Sequence, residues 1–343
     1  MRPGPRNLIT DVDGLRVGNA ADARVRTGVT IVLPDAPAVA AVDVRGGAPG
    51  TRETDALNPS CLVDRVDAVV LSGGSAFGLE AASAAATWLA GQGRGYAVGP
   101  VRVPIVPAAI LFDLLNGGDK AWGERPPFAD LARSACETVS LTFPLGNVGA
   151  GFGAKAGTIK GGLGSASLVT DDGLQVGALI AANPFGSVVM PGQPTLWAWA
   201  LELEGEMGGQ PLPAAPIPPD PGLPELDISR GAIARAAANT TIGVVAVNAD
   251  LTKAEALRLA TMAHDGLARA VRPAHTPFDG DTLYALATGT RPLPEPRAYH
   301  LARLGSHAAD VVARAIGRGI YHAEGLGPFP GYRELHGPAL QRP

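Results

Sequence analysis

The sequence predicts an α/β fold in which short buried strands and helices are joined by tight turns. Apolar, β-branched runs at 28–33 and 39–44 are typical of buried strands. A run of small residues at 79–90 follows a predicted strand and two glycines, in the order strand, turn, helix. The chain has 45 glycines and 31 prolines among 46% hydrophobic residues, which implies many turns between buried elements.

Further elements follow in order along the first two thirds of the chain. A strand is predicted at 66–71 and a helix at 131–139. The stretch 146–167 has almost no large side chains, so its backbone must run close to a neighbour. An apolar strand at 174–182 then ends at Asn183, and polar chemistry at a strand end is a common site architecture.

The last third begins with a proline-rich segment, 208–228, which forbids regular helix or central strand and is expected to be exposed. Three elements are predicted beyond it: an amphipathic helix, a strand and a final helix, at 250–271, after the turn 279–281, and at 307–320. The spacing of Thr252 and Glu255 predicts a capping box at the start of the amphipathic helix.

Composition excludes several classes of function. Lys+Arg 28 against Asp+Glu 32 gives a net charge of -4, and no basic block tracks a phosphate backbone, so we expect no nucleic-acid partner. No run of 18 apolar residues and no leader-like start occurs, which predicts a cytoplasmic protein without a membrane partner. Cys61 and Cys136 lack a CxxC pattern and are expected to be buried thiols, and no HExxH occurs, so we expect no metal and no cofactor.

Two glycine-rich segments are weak candidates for phosphate or nucleophile motifs. The segment 73–78, GGSAFG, fails the dinucleotide pattern at Ser75 and fails the esterase elbow at Phe77. The segment 149–154, GAGFGA, is followed by more glycine and not by the helix that a pyrophosphate needs. Neither predicts a nucleotide site.

A stronger candidate is Thr240, which follows Asn239 at the start of a buried strand. Asp279 and Asp281 lie at the head of the next predicted strand, where they could meet this threonine. If Thr240 became an N-terminus, its α-amine, with an ordinary pKa of about 7.7–8.0, could take the proton of its own hydroxyl. An amide donor such as Asn183 could stabilise the oxyanion. A threonine that only favours a strand and an ordinary acidic turn remain the alternatives.

Eight ordered blocks of the sequence carry a resemblance to a known family: NLITDVDGLRVGNA, AAVDVRGGAPGTRETDAL, VLSGGSAFGLEAA, GNVGAGFGAKAG, KGGLGSAS, ANPFG, NTTIGVVAVN and HTPFDGDTLYALATG. In these blocks the chain resembles the L-aminopeptidase/D-esterase family (DmpA-like, peptidase S58), which includes β-peptidyl aminopeptidases and nylon-oligomer hydrolases. The resemblance implies one hydrolase domain, 1–343, with a four-layer α/β/β/α sandwich of the N-terminal-nucleophile type. It also implies self-cleavage into an α chain, 1–239, and a β chain, 240–343, which stay associated and form homo-oligomers, tetramers or larger.

The resemblance also implies roles for individual residues. Thr240 matches the family's nucleophile, and the bond between Asn239 and Thr240 matches the cleavage site. Asn183 matches the asparagine linked to the oxyanion, and Asp279 and Asp281 match the acidic or hydroxyl pair near the nucleophile. Asparagine before threonine, followed by DGD, looks more like the nylon-oligomer branch than the β-peptide branch.

Two positions depart from the family's pattern. Phe112 stands where some members have a tyrosine of the catalytic site, so that hydroxyl is absent. The lysine of the nylon branch has no counterpart at the matching position, which leaves Lys155 or Lys160, and the alignment favours Lys160. Phe112, Phe77 and Gly74 are candidates for the wall of the substrate pocket.

The function expected from these residues is hydrolysis of amide bonds in short peptides or related amides by an N-terminal threonine. A 6-aminohexanoate (nylon) oligomer hydrolase of the same mechanism is the alternative. An acyltransferase of related architecture, which would pass the acyl group to an amine, and an uncleaved binding protein are two further hypotheses. The sequence does not define the substrate, because pocket walls come from variable loops.

Overall fold

The computed structural model describes residues 1–218 and 239–340. In this part of the chain, two β-sheets pack on each other and helices cover their outer faces. The described strands are β1 (Leu15–Asp22), β2 (Thr27–Pro34), β3 (Ala38–Val44), β4 (Thr51–Arg52), β5 (Arg65–Val66), β6 (Val69–Ser72), β7 (Tyr96–Val98), β8 (Val101–Val103), β9 (Ala108–Ile110), β10 (Lys155–Ala156), β11 (Ile159–Lys160), β12 (Gly162–Val169), β13 (Gln175–Ala182), β14 (Ile242–Asp250) and β15 (Thr282–Pro292). The described helices are α1 (Glu80–Gly91), α2 (Phe128–Glu137), α3 (Lys253–Ala270), α4 (Arg297–His322) and α5 (Tyr332–Leu340).

The strands form two main sheets and two small hairpins. One sheet has the order β1-β2-β6-β9-β4 and the other β12-β13-β14-β15-β3-β5, while β7-β8 and β10-β11 pair separately. In the second sheet β14 and β15 are parallel, with Ile242 opposite Thr282, and their other neighbours β13 and β3 are antiparallel to them. The strands that follow Thr240 and Asp281 are therefore adjacent and start at the same edge.

Three apolar cores separate four layers. Helices α1 and α2 pack on the outer face of the five-stranded sheet, around Val29 and Phe128. The two sheets pack on each other, and helices α3 and α4 cover the far face of the six-stranded sheet. Both faces of strand β14 are therefore buried. Val244 faces the other sheet, and Val245 faces the helices. The layer order is the α/β/β/α sandwich that the sequence's resemblance implies.

Most predicted elements are confirmed. Strands β2, β3 and β13, helices α1 and α2, and the capping box of α3 lie where expected; in that box Thr252 N–H donates to Glu255 Oε2 at 2.8 Å. The glycine-rich run also behaves as predicted, since a Cβ on Gly164 would lie 1.8 Å from the carbonyl oxygen of Ala315 in α4. Large side chains are excluded there because β12 and α4 touch backbone to backbone.

Three predictions need correction. The predicted strand 66–71 is two strands in different sheets, because the chain crosses between the sheets at Asp67, whose N–H bonds to the Ile105 carbonyl. The predicted final helix starts ten residues earlier, at Arg297, and α5 follows it. Cys61 is exposed and only Cys136 is buried.

The proline-rich segment 208–228 is described only as far as residue 218. From 208 to 218 it contains neither helix nor strand, as the prolines predict, and residues 211–218 are exposed or half-buried. The rest of the segment lies outside the described residues.

Candidate active site

The candidate nucleophile lies at the edge where β14 and β15 begin. An isolated parallel bridge between Asn239 and Asp279 extends the pairing of these two strands beyond their ends. Thr240 is 3% exposed, and Asp279 and Asp281 are each 1% exposed. Parallel register thus brings together residues about 40 positions apart, as the sequence predicts.

The carbonyl that precedes Thr240 is held from two sides. Thr240 Oγ1 donates a hydrogen bond to the Asn239 carbonyl oxygen, and the Gly280 N–H donates to the same oxygen at 3.1 Å. The Thr240 N–H donates to the Asn183 carbonyl oxygen at 2.8 Å. The hydroxyl therefore lies beside the carbonyl group that it would attack in self-cleavage, and a backbone donor already points at the oxygen that would become negative.

Asn183 follows β13 and is fully buried beside the nucleophile. Its Oδ1 accepts a hydrogen bond from the Lys155 N–H at 2.9 Å, and its Nδ2 donates to the Phe112 carbonyl oxygen at 3.3 Å. These contacts fix the orientation of the amide. They also connect the nucleophile, through one residue, to the segments that carry Phe112 and Lys155.

The two carboxylates organise backbone around Thr240. Asp279 accepts from Phe185 N–H at 2.9 Å and from Thr276, through its N–H at 3.0 Å and its hydroxyl at 2.6 Å. Asp281 accepts from Thr241 N–H at 2.8 Å, which fixes the peptide just after the nucleophile. Burial, together with the charge of Asp281, raises the pKa of Asp279 above its ordinary value.

His275 is a site residue that the sequence analysis missed. Its N–H and its Nδ1 both bond to Asp281 Oδ2, at 3.1 and 2.8 Å, and its φ of +57° lies in the left-handed region. Its ring stacks edge to face on His264, with centroids 4.9 Å apart. Burial lowers the pKa of His264 to about 4, so that ring is neutral at pH 7. The position of His275, six residues before Asp281 in the sequence, was the signal that could have identified it as a site residue.

Two glycines let the backbone close over this group. A Cβ on Gly280 would lie 2.7 Å from Thr240 Oγ1 and 2.6 Å from the Ala48 carbonyl oxygen. A Cβ on Gly46 would lie 2.3 Å from the Asp281 nitrogen. The polar segment after β3 thus forms one wall of the site, and only glycine fits at these two positions without movement.

The two candidate lysines occupy different environments. Lys160 is fully buried, and its Nζ donates to the carbonyl oxygens of Gly151 and Gly161 at 3.0 and 2.7 Å. Burial lowers the pKa of Lys160 to about 7. Lys155 instead lines a cavity of about 430 Å³ together with Phe112.

The other two pocket candidates, Gly74 and Phe77, lie outside the cavity lining. Gly74, with φ +83°, donates its N–H to Asp113 Oδ1 at 2.8 Å, and Asp113 is part of the cavity wall. Phe77 is 52% exposed and packs edge to face on Trp122, and among the described residues neither it nor Gly74 lines the cavity itself. Across the part of the chain that the structure describes, no three His, Cys, Asp or Glu side chains come together as a metal site would require.

Comparison with known proteins identifies the family. The family model described as peptidase family S58 matches residues 7–333, which is nearly the whole chain. The chain belongs to peptidase family S58. This member of the family is therefore a hydrolase that acts on peptide or amide bonds.

Relatives and solved structures agree with this S58 assignment. The chain is 44% identical to an uncharacterized aminopeptidase of Mycobacterium tuberculosis, over 96% of this chain and 98% of the relative. It is 28% identical to a 6-aminohexanoate-oligomer endohydrolase of Agromyces sp., over 91% of this chain and 83% of the relative. The solved L-aminopeptidase D-Ala-esterase/amidase of Ochrobactrum anthropi, described as a variant of the Ntn hydrolase fold, superposes with a TM-score of 0.70 at 22% identity, over 94% and 88% of the two chains. That likeness shows the fold.

Among the described residues, no helix is long and apolar enough to cross a membrane.

Proposed function

We propose that this S58 hydrolase cuts its own chain between Asn239 and Thr240, and that the new N-terminal threonine then hydrolyses amide bonds of small substrates. The observation that carries the proposal is the geometry at the Asn239 carbonyl. Thr240 Oγ1 and the Gly280 N–H both bond to its oxygen, while Asn183 holds the Thr240 nitrogen. The α chain would be 1–239 and the β chain 240–343, in one hydrolase domain.

Self-cleavage starts with attack of Thr240 Oγ on the Asn239 carbonyl carbon. The oxyanion forms on the carbonyl oxygen that Gly280 N–H already contacts, and such donors act where charge develops. The bond between the Asn239 carbon and the Thr240 nitrogen then breaks, the nitrogen takes a proton, and water hydrolyses the resulting ester. Asp279, Asp281 and Lys160 are the candidate bases for the hydroxyl proton in this first step, because Thr240 has no free amine before cleavage.

In turnover the freed α-amine of Thr240 takes the proton from its own Oγ, which attacks the substrate carbonyl. The Asn183 carbonyl oxygen, 2.8 Å from the nitrogen in the uncut chain, holds this amine in place. The buried amide of Asn183 donates to the substrate oxyanion. The leaving amine is protonated and departs, and water then hydrolyses the acyl-enzyme and regenerates Thr240.

For substrates we propose short peptides or oligoamides that bind without a cofactor. The likeness to a 6-aminohexanoate-oligomer endohydrolase supports linear oligoamides as the alternative substrate class for the same nucleophile. Association of the two chains, assembly into a homo-oligomer and a cytoplasmic location are parts of the same proposal.

The test is denaturing electrophoresis with intact-mass analysis of the wild type, Thr240→Ala and Thr241→Val. Thr241 is the matched control, because it is also a buried threonine and its contact to Asp281 is made by backbone N–H. We expect two chains for the wild type and for Thr241→Val, with a new N-terminus of Thr-Thr-Ile-Gly in the wild type, and one whole chain for Thr240→Ala.

Other outcomes identify the other hypotheses. A wild type that stays whole and hydrolyses no amide would contradict the proposal and favour a binding protein. A cleaved wild type that acylates an added amine faster than it releases free acid would indicate an acyltransferase.

A further inference from the structure

Three of the chain's four lysines lie in or next to the wall of the cavity that Asn183 connects to the nucleophile. Lys155 lines it, and Lys120 donates from Nζ to Asn116 Oδ1, another lining group, at 3.1 Å. Lys160 pairs with Lys155 across the β10-β11 hairpin. The sequence contains only one more lysine, Lys253, so the concentration of positive charge around one cavity of about 430 Å³ is unusual for this chain.

The carboxylate in the cavity wall, Asp113, interacts with two lysines other than Lys155. Asp113 is 3% exposed, its Oδ1 accepts from Gly74 N–H, and the charges of Lys120 and Lys160 both favour its ionised form. Burial is nevertheless the largest influence, and the pKa of Asp113 is raised overall. The charge of Asp113 does not balance Lys155, because burial alone accounts for the lowered pKa of Lys155.

Lys155 is the uncompensated charge. It is half-buried, and among the described residues its ammonium has neither a hydrogen bond nor an ion pair. Burial lowers the pKa of Lys155, which means that the charged form is destabilised where it stands. An anionic ligand in the cavity would reverse this loss, because a partly buried charge gains most from a charged hydrogen-bond partner.

The cavity is also placed to receive part of a substrate that reacts at Thr240. Asn183 bonds through its side chain to the backbones of Lys155 and Phe112, both in the cavity wall, and through its carbonyl oxygen to the Thr240 nitrogen. One residue, Asn183, therefore separates the nucleophile from the cavity wall, and a substrate whose carbonyl lies at Thr240 would reach the cavity past this side chain. Phe112, Leu115 and Phe329 offer apolar contact there, and the volume is within the ordinary range for small-ligand sites.

We infer that this cavity is a carboxylate-binding subsite, in which the Lys155 ammonium pairs with a carboxylate of the amide substrate. The inference rests on the proposed function, since it takes Thr240 as the reacting group. The carboxylate has two possible sources, an acidic side chain on the acyl part or the terminal carboxylate of a short leaving group. The subsite selects for the anion in either case.

The experiment compares acid and amide forms of otherwise equal substrates on the cleaved wild type, Lys155→Met and Arg258→Met. Alanyl-glycine against alanyl-glycinamide tests the leaving-group carboxylate, and glutamyl against glutaminyl p-nitroanilide tests the acidic side chain. Arg258 is an exposed residue of α3 and controls for loss of one positive charge. We expect the acid to be favoured in kcat/KM by about tenfold or more in one pair, which identifies the source. In Lys155→Met this preference falls to about threefold or less, mainly through KM of the acid, and in Arg258→Met it is unchanged.

Equal hydrolysis of acid and amide by the wild type in both pairs would overturn the subsite while leaving the proposed function intact. An equal fall in kcat for acid and amide in Lys155→Met would also overturn it, because Lys155 would then act on the reaction and not on the anion.

Binding is measured separately so that the inference does not depend on turnover. Butyrate and butyramide are titrated into the purified wild type and Lys155→Met by calorimetry, whether or not the chain is cleaved. We expect butyrate to bind the wild type more tightly than butyramide and to bind Lys155→Met about tenfold more weakly than the wild type. Equal affinity for the two probes, or butyrate binding that Lys155→Met does not change, would refute the subsite even if the chain never cleaves itself.

Discussion

Replacing Gly280 by alanine tests how closely the site is built around the Thr240 hydroxyl. The φ of Gly280 is not in the left-handed region, so its backbone tolerates alanine and only contact opposes the new methyl group. That Cβ would lie 2.7 Å from Thr240 Oγ1, with the Ala48 carbonyl oxygen at 2.6 Å blocking retreat. To reach ordinary contact near 3.4 Å, the hydroxyl must move by about 0.7 Å, and a displacement of about 1 Å can cost about 100-fold in rate.

We therefore expect Gly280→Ala to slow self-cleavage by about 100-fold, since any backbone movement that relieves the clash would also draw the Gly280 N–H away from the Asn239 carbonyl. The assay follows the mass of the whole chain with time after cell-free synthesis. Gly91→Ala is the matched control, because a Cβ there meets nothing within 4 Å at the end of α1. Thermal unfolding of each variant confirms that the whole chain is folded. Cleavage of Gly280→Ala within threefold of the wild-type rate would refute the reasoning.

Two further predictions follow from charged contacts. His275→Asn keeps a residue that tolerates positive φ but removes the hydrogen bond from the ring to Asp281, so we expect kcat/KM to fall about tenfold. The measurement is the pH profile of kcat/KM for the cleaved enzyme. An unchanged rate and profile would show that the ring is dispensable. Glu206→Gln leaves Arg314, 1% exposed, without its carboxylate, and should lower the free energy of unfolding by about 3–5 kcal/mol in urea. Burial opposes ionisation of Glu206, but the hydrogen bond and charge of Arg314 lower the pKa of Glu206 below 4.5. The stability from this pair is therefore present above pH 4.5 and is lost as the pH falls through the folded pKa. Equal losses of stability below pH 4.5 in the wild type and Glu206→Gln would contradict this assignment.

Most strands and helices were predictable because each carries a local pattern, whereas the four-layer order came from the family resemblance. Runs of β-branched residues mark β2 and β14, an apolar run marks β13, and a capping box marks α3. The crossing at Asp67 was not predictable in this way. Val66 before it and Val69 after it both fit a single apolar strand in the sequence. Only the pairing of β5 with β3 and of β6 with β2 shows that they belong to different sheets.

The site was predictable to the extent that strand order determined it. Thr240, Asp279 and Asp281 needed only two adjacent parallel strands to meet. The contacts of His275 and the different environments of the two lysines depend on how loops return to those strands, and no local pattern in the sequence encodes such a return. The same holds for Gly280, whose closeness to the hydroxyl follows from the register of a single bridge.

The hydrogen bonds of the uncut chain also explain how one threonine could serve two reactions. Before cleavage Thr240 donates its only N–H to the Asn183 carbonyl, and its hydroxyl turns to the Asn239 carbonyl. After cleavage the neutral amine could keep one N–H on Asn183, which leaves its lone pair free to accept the proton of Oγ. A carbonyl at this position accepts from the amide and the amine alike, so no rearrangement of β13 is required between maturation and turnover. In the proposed cleavage, loss of the Asn239 carbonyl from beside Thr240 would open the space that a substrate carbonyl must enter. The Asn183 amide, held by the backbones of Lys155 and Phe112, would border that space.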